Sequence, residues 1–415
     1  MFVVKKFLST LGPGLLYAAA AIGVSHLVQS TKAGALFNYD LIWILILANI
    51  LKYPFFEFGA RYANATGKSL VDGYARIGKW AVILFSVLTI ASMFIFQAAV
   101  TVVTVGLLAN ILNIDISISL LSILLLVISA IILLVGKYSL LDKVIKFVIV
   151  LLSVSTIVAV FAAFGIEKEI QSDSIMHFKW TRSADIFFMI AFVGWMPAPI
   201  DVSVWSSVWG IAKAKELKYT PSLKDTLLEF KVGYISTMVL AICFVLLGAQ
   251  VLWGSGEVLS PKGTVFASQL IRLYTSSIGA WSYWIIALAA FTTMFSTTIT
   301  VLDAYPRVLG PIYTNLLSKK DEPRYLRMLL IILLIIGTFI IIVFLAKSMA
   351  YMVNFATTLS FVTAPVLAWL NYRVVTDKHM PIDARPGMGL RILSWLGIVF
   401  FIVFTLIYFY MQLTT

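Results

Sequence analysis

Val193-Gly194-Trp195-Met196-Pro197-Ala198-Pro199-Ile200-Asp201 lies inside an apolar run spanning about 184–211, and its two prolines decide the fold. Each proline removes a backbone donor and clashes with the turn before it, so a helix entering this stretch stops. Asp201 is placed to cap a helix that restarts beyond the break. A comparable stretch lies near the beginning of the chain. There Gly12-Pro13-Gly14 opens a run of small residues, and Gly23-Val24-Ser25-His26 interrupts it at mid-depth. Backbone groups freed inside lipid are tolerated only where they line a cavity or are buried in protein. Interrupted helices at matching positions of two halves point to the binding site of a secondary transporter.

Working outward, runs of about 20 mostly apolar residues mark membrane-spanning helices. Eleven such segments are expected, at about 11–36, 41–63, 80–112, 116–136, 141–165, 184–211, 231–253, 279–305, 325–346, 348–373 and 389–412. The interrupted segments are then the first and the sixth, and each begins a group of five. Read alone, Pro197 and Pro199 suit an ordinary membrane-helix kink equally well. The recurrence five segments apart favours a break. The expected fold is an all-α polytopic membrane protein with a 5+5 inverted repeat and one extra helix. It would form a single transporter domain over residues 1–415. Repeat one would cover about 11–165, repeat two about 184–373, and an extra helix about 389–412.

Composition agrees. Of 415 residues, 61% are apolar and 12% charged, where a soluble chain has roughly a quarter charged. The mean hydropathy is +1.00. The solvent for most of this surface is therefore the lipid bilayer. A net charge of +12 would suggest nucleic acid in a soluble protein, but the basic residues are scattered among short loops. With the N-terminus placed inside, the inner loops hold 23 Lys and Arg and the outer loops hold 7. That bias predicts a multi-pass protein of the inner or plasma membrane, with a cytoplasmic N-terminus and an extracellular C-terminus. No cleavable signal peptide is expected. The lone Cys243 excludes an internal disulfide and sits in an apolar run, as an inert packed thiol would. No Ser/His/Asp set, His-x-x-x-His pair, Walker loop or dinucleotide fingerprint is present, so no enzyme, catalytic residue or cofactor is expected. No protein partner is evident either.

The motifs Gly12-Pro13-Gly14, Ala33-Gly34-Ala35, Ala60-Arg61, Thr66-Gly67-Lys68-Ser69-Leu70 and Met196-Pro197 resemble the Nramp family. The resemblance runs in register to about residue 80 and recurs at segment six. It implies a 5+5 inverted repeat of LeuT-like type (the APC superfamily) with 11 or 12 helices, alternating access and, in typical members, proton-coupled uptake of divalent transition metals. It also implies a metal site built from Asp-Pro-Gly-Asn in helix 1 and Ala-x-x-Met-Pro-His in helix 6. Here Gly23 stands at the liganding Asp and His26 at the Asn. Val193 stands at the Ala that lends its carbonyl, Met196 is kept, and Ala198 replaces the His.

Without that carboxylate the site offers an imidazole, a thioether and carbonyls. A dication buried against no negative charge is strongly disfavoured, so no metal-binding residue is assigned. Half-helix N-termini suit an anion. The expected substrate is accordingly a small inorganic anion, with bicarbonate first, held by Gly23, Val24, Ser25, His26, Met196, Pro197 and Ala198. Na⁺, H⁺ or the anion's own gradient would drive it. The alternative is a proton-coupled carrier of Mn²⁺, Fe²⁺ or Mg²⁺ with a site relocated to Asp201, His26 and Met196. A third reading is a membrane interaction protein that keeps the fold without transporting.

Other buried polar residues have plainer readings beside functional ones. His26 either joins the site or bonds a carbonyl across the bundle. Met196 is a ligand or packing. Asp201 is a coupling residue or an N-cap. Asp303 is a helix-end ion pair with Arg307 or a gate. Lys52 and Glu57 are expected to neutralise each other or snorkel. Gln97, Thr101, Thr104 and Asn354 line the path or join helices. Residues 66–79 predict a short helix on the inner membrane surface, and 213–231 a mobile basic loop.

Overall fold

The computed structural model describes residues 17–18, 20–114, 116–135, 138–165, 171, 175–323, 325–346 and 348–414, with 138–149 and 217 described by backbone alone. Fourteen α-helices and no strand occur among them. The Gly12-Pro13-Gly14 entry to segment one lies outside the described residues.

The chain reaches a bend at Ile22–Gly23 and then a π-helical segment, Ser25–Ser30, which runs into α1 (Thr31–Phe37). There follow α2 (Ile42–Thr66), α3 (Leu70–Ile77), α4 (Lys79–Leu112), α5 (Ile118–Leu134) and α6 (Tyr138–Ala163). The second half starts with α7 (Ser183–Gly194), breaks, and resumes as α8 (Asp201–Leu217). It continues through α9 (Leu223–Val251), α10 (Gly263–Ile278), α11 (Tyr283–Leu317), α12 (Leu326–Phe344) and α13 (Met349–Thr376), and α14 (Met388–Thr414) ends the fold.

The two halves repeat the same order of lengths after each broken helix. Helices α2 to α6 have 25, 8, 34, 17 and 26 residues. Helices α9 to α13 have 29, 16, 35, 19 and 28. A short amphipathic helix thus follows the second spanning helix in both halves. Packing follows the same pattern. The first broken helix lies on α9, the second half of the other broken helix lies on α2, and α4 crosses α11 at the centre.

Among the described residues seven helices are long and apolar enough to span alone: α2, α4, α9, α11 with its leading turn, α12, α13 and α14. The other four expected segments are the two broken ones, the 17-residue α5, and α6, whose apolar described part is Val150–Ala163. Lipid-facing side chains are apolar, for example Phe161, Phe344 and Leu413.

The loops expected inside gather at one end. Arg61 donates to Ala384 O at 2.9 Å, and Asn64 to Pro221 O at 2.9 Å. The opposite set gathers at the other end, where Trp253 Nε1 donates to Met176 O and Gln171 N to Gly254 O. We call these the basic and the opposite end.

Three local expectations change. The 213–231 stretch is mostly helix, because α8 runs to Leu217 and α9 starts at Leu223 under a Ser222 cap. Helix α11 continues through Pro306 and Pro311 to Leu317, so Asp303 is not at its end. A proline inside a packed membrane helix loses few bonds, and neighbours replace them. Finally, α3 forms with a Ser69–Asp72 capping box but is tucked under the bundle. Leu70, Val71 and Tyr74 are fully buried, and the Tyr74 hydroxyl donates to Asn371 Oδ1 at 2.5 Å.

Candidate functional site

Both breaks occur where the prolines, Gly23 and the small residues put them, and they face each other. At the first, Gly23 O accepts from His26 N at 3.1 Å and Leu27 N at 2.9 Å, while Ile22 O accepts from the Thr297 hydroxyl of α11 at 3.3 Å. A Cβ on Gly23 would stand 2.9 Å from Thr297 Oγ1. The wide π turn then carries Ser25 to within 3.3 Å of Pro197 O in the second break. Such π turns are rare and recur at functional positions.

At the second break α7 stops at Gly194, the Met196–Pro197 peptide is cis, and α8 begins at Asp201. Trp195 packs edge-on against Phe96, with ring centroids 5.5 Å apart, and donates to Ser360 Oγ at 2.5 Å. Between the breaks lies a cavity of about 30 Å³ lined by Val24, Ser25, Phe96, Trp195, Ala198, Val202, Thr297 and their neighbours. That is room for one or two waters or a bare ion, with hydroxyls from Ser25 and Thr297 as its polar lining.

The expected residues divide. Val24, Ser25 and Ala198 line the cavity. Gly23 abuts it through Thr297, and Pro197 offers its carbonyl to Ser25. His26 turns away: Nε2 donates to Thr237 O on α9 at 2.9 Å, and Nδ1 lies 2.7 Å from Ser25 Oγ. The carbonyl bond across the bundle is therefore the observed arrangement. Met196 is fully buried, and its Sδ accepts from Ser30 at 3.8 Å. Gln97 joins α4 to α11 by donating to Thr298 O at 3.2 Å and Thr101 Oγ1 at 3.3 Å.

Asp201 is not an N-cap. Ile200 holds that position, and no side chain caps the helix. Asp201 is 6% exposed and its carboxylate has no hydrogen bond among the described residues. It lies within electrostatic reach of Tyr74 and Tyr305. Asp303 on α11 is buried, and its carboxylate accepts from Arg307 at 2.6 Å, from Trp209 of α8 at 3.2 Å, and from Arg327. Clefts of about 430 and 490 Å³ flank α8 at the basic end. A cavity at the opposite end, beside Gln29, Lys32 and Asn354, holds about 100 Å³.

Lys52 departs from its expected pairing. It does not pair with Glu57, which bonds Arg61 at 2.5 Å. Its Nζ donates to Val193 O at 2.7 Å, Gly194 O at 2.8 Å and Ala198 O at 3.2 Å. The carbonyl that the resemblance assigned to a metal thus accepts from the Lys52 Nζ. Among the described residues no group of three His, Cys, Asp or Glu could hold a metal, and the His26 Nε2 is directed to Thr237 O.

His26→Ala removes the donor to a buried carbonyl. It is expected to cost about 1–3 kcal/mol, read as a lowered melting temperature in detergent. An unchanged melting temperature would show that the brace to α9 carries no weight.

Comparison with known proteins fits this architecture. The family model described as natural resistance-associated macrophage protein-like, Nramp, matches residues 14–411. An uncharacterized protein of Pasteurella multocida (strain Pm70) is 38% identical over 408 residues, covering 97% of this chain and 92% of the relative. A divalent metal cation transporter of Yersinia pestis (strain Pestoides F) is 33% identical, but over 81 residues, 19% of this chain and 20% of its own. Among solved structures, a manganese transporter of Eremococcus coleocola aligns at a TM-score of 0.67 and 14% identity, covering 97% of this chain and 86% of that one. A nucleobase-cation-symport-1 family transporter aligns at 0.60 and 13% identity, covering 97% and 92%. At such identities the structures establish a shared fold, the LeuT-like arrangement with two broken helices. With the family model spanning almost the whole sequence, the chain belongs to the Nramp family of membrane transporters and is not an enzyme.

Proposed function

We propose that this chain is a secondary active transporter that carries a small inorganic ion by alternating access, the ion passing between the Ser25–Ser30 turn and the Trp195–Ile200 break. The observation that carries this is the pair of facing breaks around one small cavity. The broken helices with α2 and α9 form one packed unit, and α4 with α11 forms the body against which that unit can rock. Residues 1–415 act as one transport domain, in the cell membrane, with the basic end cytoplasmic.

The ion class in the relatives' names, a divalent metal cation or manganese, is the first reading. It is supported by family membership, by the retained thioether of Met196, and by the unbonded carboxylate of Asp201, which proton coupling would use. Bicarbonate, the substrate expected from the sequence, has no support among the relatives. One observation keeps a small anion as the second reading: Lys52 already occupies the break's carbonyls, and no carboxylate lines the cavity.

The test is flux into liposomes. Mn²⁺ uptake without labelled bicarbonate uptake is the expected result, and Asp201→Asn is expected to reduce it at least tenfold. Bicarbonate uptake without Mn²⁺ would select the second reading. Uptake of neither would leave a membrane interaction protein that kept the fold and would overturn the proposal.

A further inference from the structure

Lys52 is buried to 0% exposure in the middle of α2. Its Nζ meets three backbone oxygens, those of Val193, Gly194 and Ala198, at 2.7, 2.8 and 3.2 Å. Three acceptors match three N–H donors one to one, and only the ammonium has three; a neutral amine has two. No carboxylate joins the set, since Glu57 is taken by Arg61.

The three oxygens are a structure in themselves. Val193 and Gly194 are the last two residues of α7, so their carbonyls lack an i+4 helical partner; Val193 O also accepts from Met196 N at 3.2 Å, whereas Gly194 O is turned to Lys52. They also sit at the negative end of its dipole. The chain then turns back through Pro197, so that Ala198 adds a third oxygen. Unwound carbonyls and half-helix C-termini are the means by which broken-helix transporters hold a small coupling cation. An apolar side chain at position 52 would take their ammonium donor from the Gly194 and Ala198 carbonyls and leave Val193 O with Met196 N alone, at substantial cost.

We propose that Lys52 is a tethered cation permanently filling a monovalent-cation site built by the second break. No free cation is then needed there. The fixed positive charge beside the cavity raises the cost of bringing a second cation against Ala198, which makes Lys52 a specificity-determining residue. This rests on the transport reading only in placing that site on the ion's path.

The test is Lys52→Met, a side chain of similar length without the charge, purified in NaCl, KCl and choline chloride at equal ionic strength. Thermal unfolding of wild type and variant is compared in each. The expected result is a variant melting temperature several degrees higher in Na⁺ or K⁺ than in choline. The shift should grow with the logarithm of cation concentration and exceed any salt response of the wild type. Recovery of monodisperse variant in Na⁺ or K⁺ but not in choline supports the proposal equally. A salt response equal to that of the wild type overturns it, as does failure to recover folded variant in any of the three salts, since the vacated oxygens would then accept no free ion. The assay reads binding rather than flux. A chain that moves neither Mn²⁺ nor bicarbonate would fail the transport reading and leave this result standing.

Discussion

Gly34→Ala is expected to destabilise the protein by about 1–3 kcal/mol, the cost of overpacking an interior, and Gly34→Leu by more. Helix propensity alone predicts the opposite sign, because Ala in place of a helical Gly usually stabilises by roughly 0.5–1 kcal/mol. Geometry decides between them. A Cβ on Gly34 would overlap the carbonyl oxygen of Val245 and stand 2.7 Å from the amide nitrogen of Ala249, both on α9. These are backbone atoms of a packed helix and cannot rotate aside. Gly248 approaches from the other side, where its Cβ would overlap Thr31 O. Small residues at crossings let membrane helices come this close. The measurement is the yield of monodisperse protein in detergent and its melting temperature. Gly387→Ala serves as control, since nothing lies within 4 Å of that site. A melting temperature for Gly34→Ala at or above wild type would mean that α1 and α9 are not locked together.

The same device recurs in the other half. A Cβ on Gly59 of α2 would overlap Ser203 O of α8. Each half-helix beyond a break is therefore pressed by glycine against the second spanning helix of the opposite repeat. This joins the two breaks to α2 and α9 as one unit. Gly59→Leu should reproduce the Gly34→Leu defect.

The breaks were legible in the sequence because proline chemistry is local. Pro197 and Pro199 interrupt a helix whatever surrounds them, and the spacing of apolar runs placed the matching break at Gly23. The order of spans was legible for the same reason. The direction of side chains was not. His26 was placed correctly along the chain, but whether it faces the cavity or α9 depends on the π turn of Ser25–Ser30, for which the sequence carries no signal. Residues five apart on a helix point about 140° from each other, so Lys52 and Glu57 do not meet, whereas Glu57 and Arg61, four apart, do. An unpaired lysine at mid-membrane depth is a functional candidate by default. The partners it found are carbonyls from a helix far along the chain, and no local pattern reveals them.

Asp303→Asn is expected to loosen the basic end of the protein. Asp303 ties three elements through one carboxylate: Arg307 on its own helix, Arg327 on α12 and Trp209 on α8. Of these, α8 is the half-helix that alternating access must move. An amide keeps the shape but removes the charge, and the two guanidiniums are left facing each other. Breaking a buried ion pair costs about 3–5 kcal/mol. Here the Arg307 and Arg327 side chains are 29% and 38% exposed, so water offsets part of that cost. About 1–3 kcal/mol is the expected loss, by the lower value of exposed pairs.

The more telling readout of this variant is population. If the network closes the cleft beside α8, its loss shifts the equilibrium toward the state open at the basic end, by no more than the difference in its contacts between the two states. Ala212 lines that cleft. Ala212→Cys, placed in a Cys243→Ser background, should react several-fold faster with a membrane-impermeant thiol reagent applied to the basic side when Asp303→Asn is present. Equal rates would mean that the carboxylate holds α8, α11 and α12 alike in both states, a brace carried through the cycle unbroken, and the moving contact would then lie with the unbonded carboxylate of Asp201.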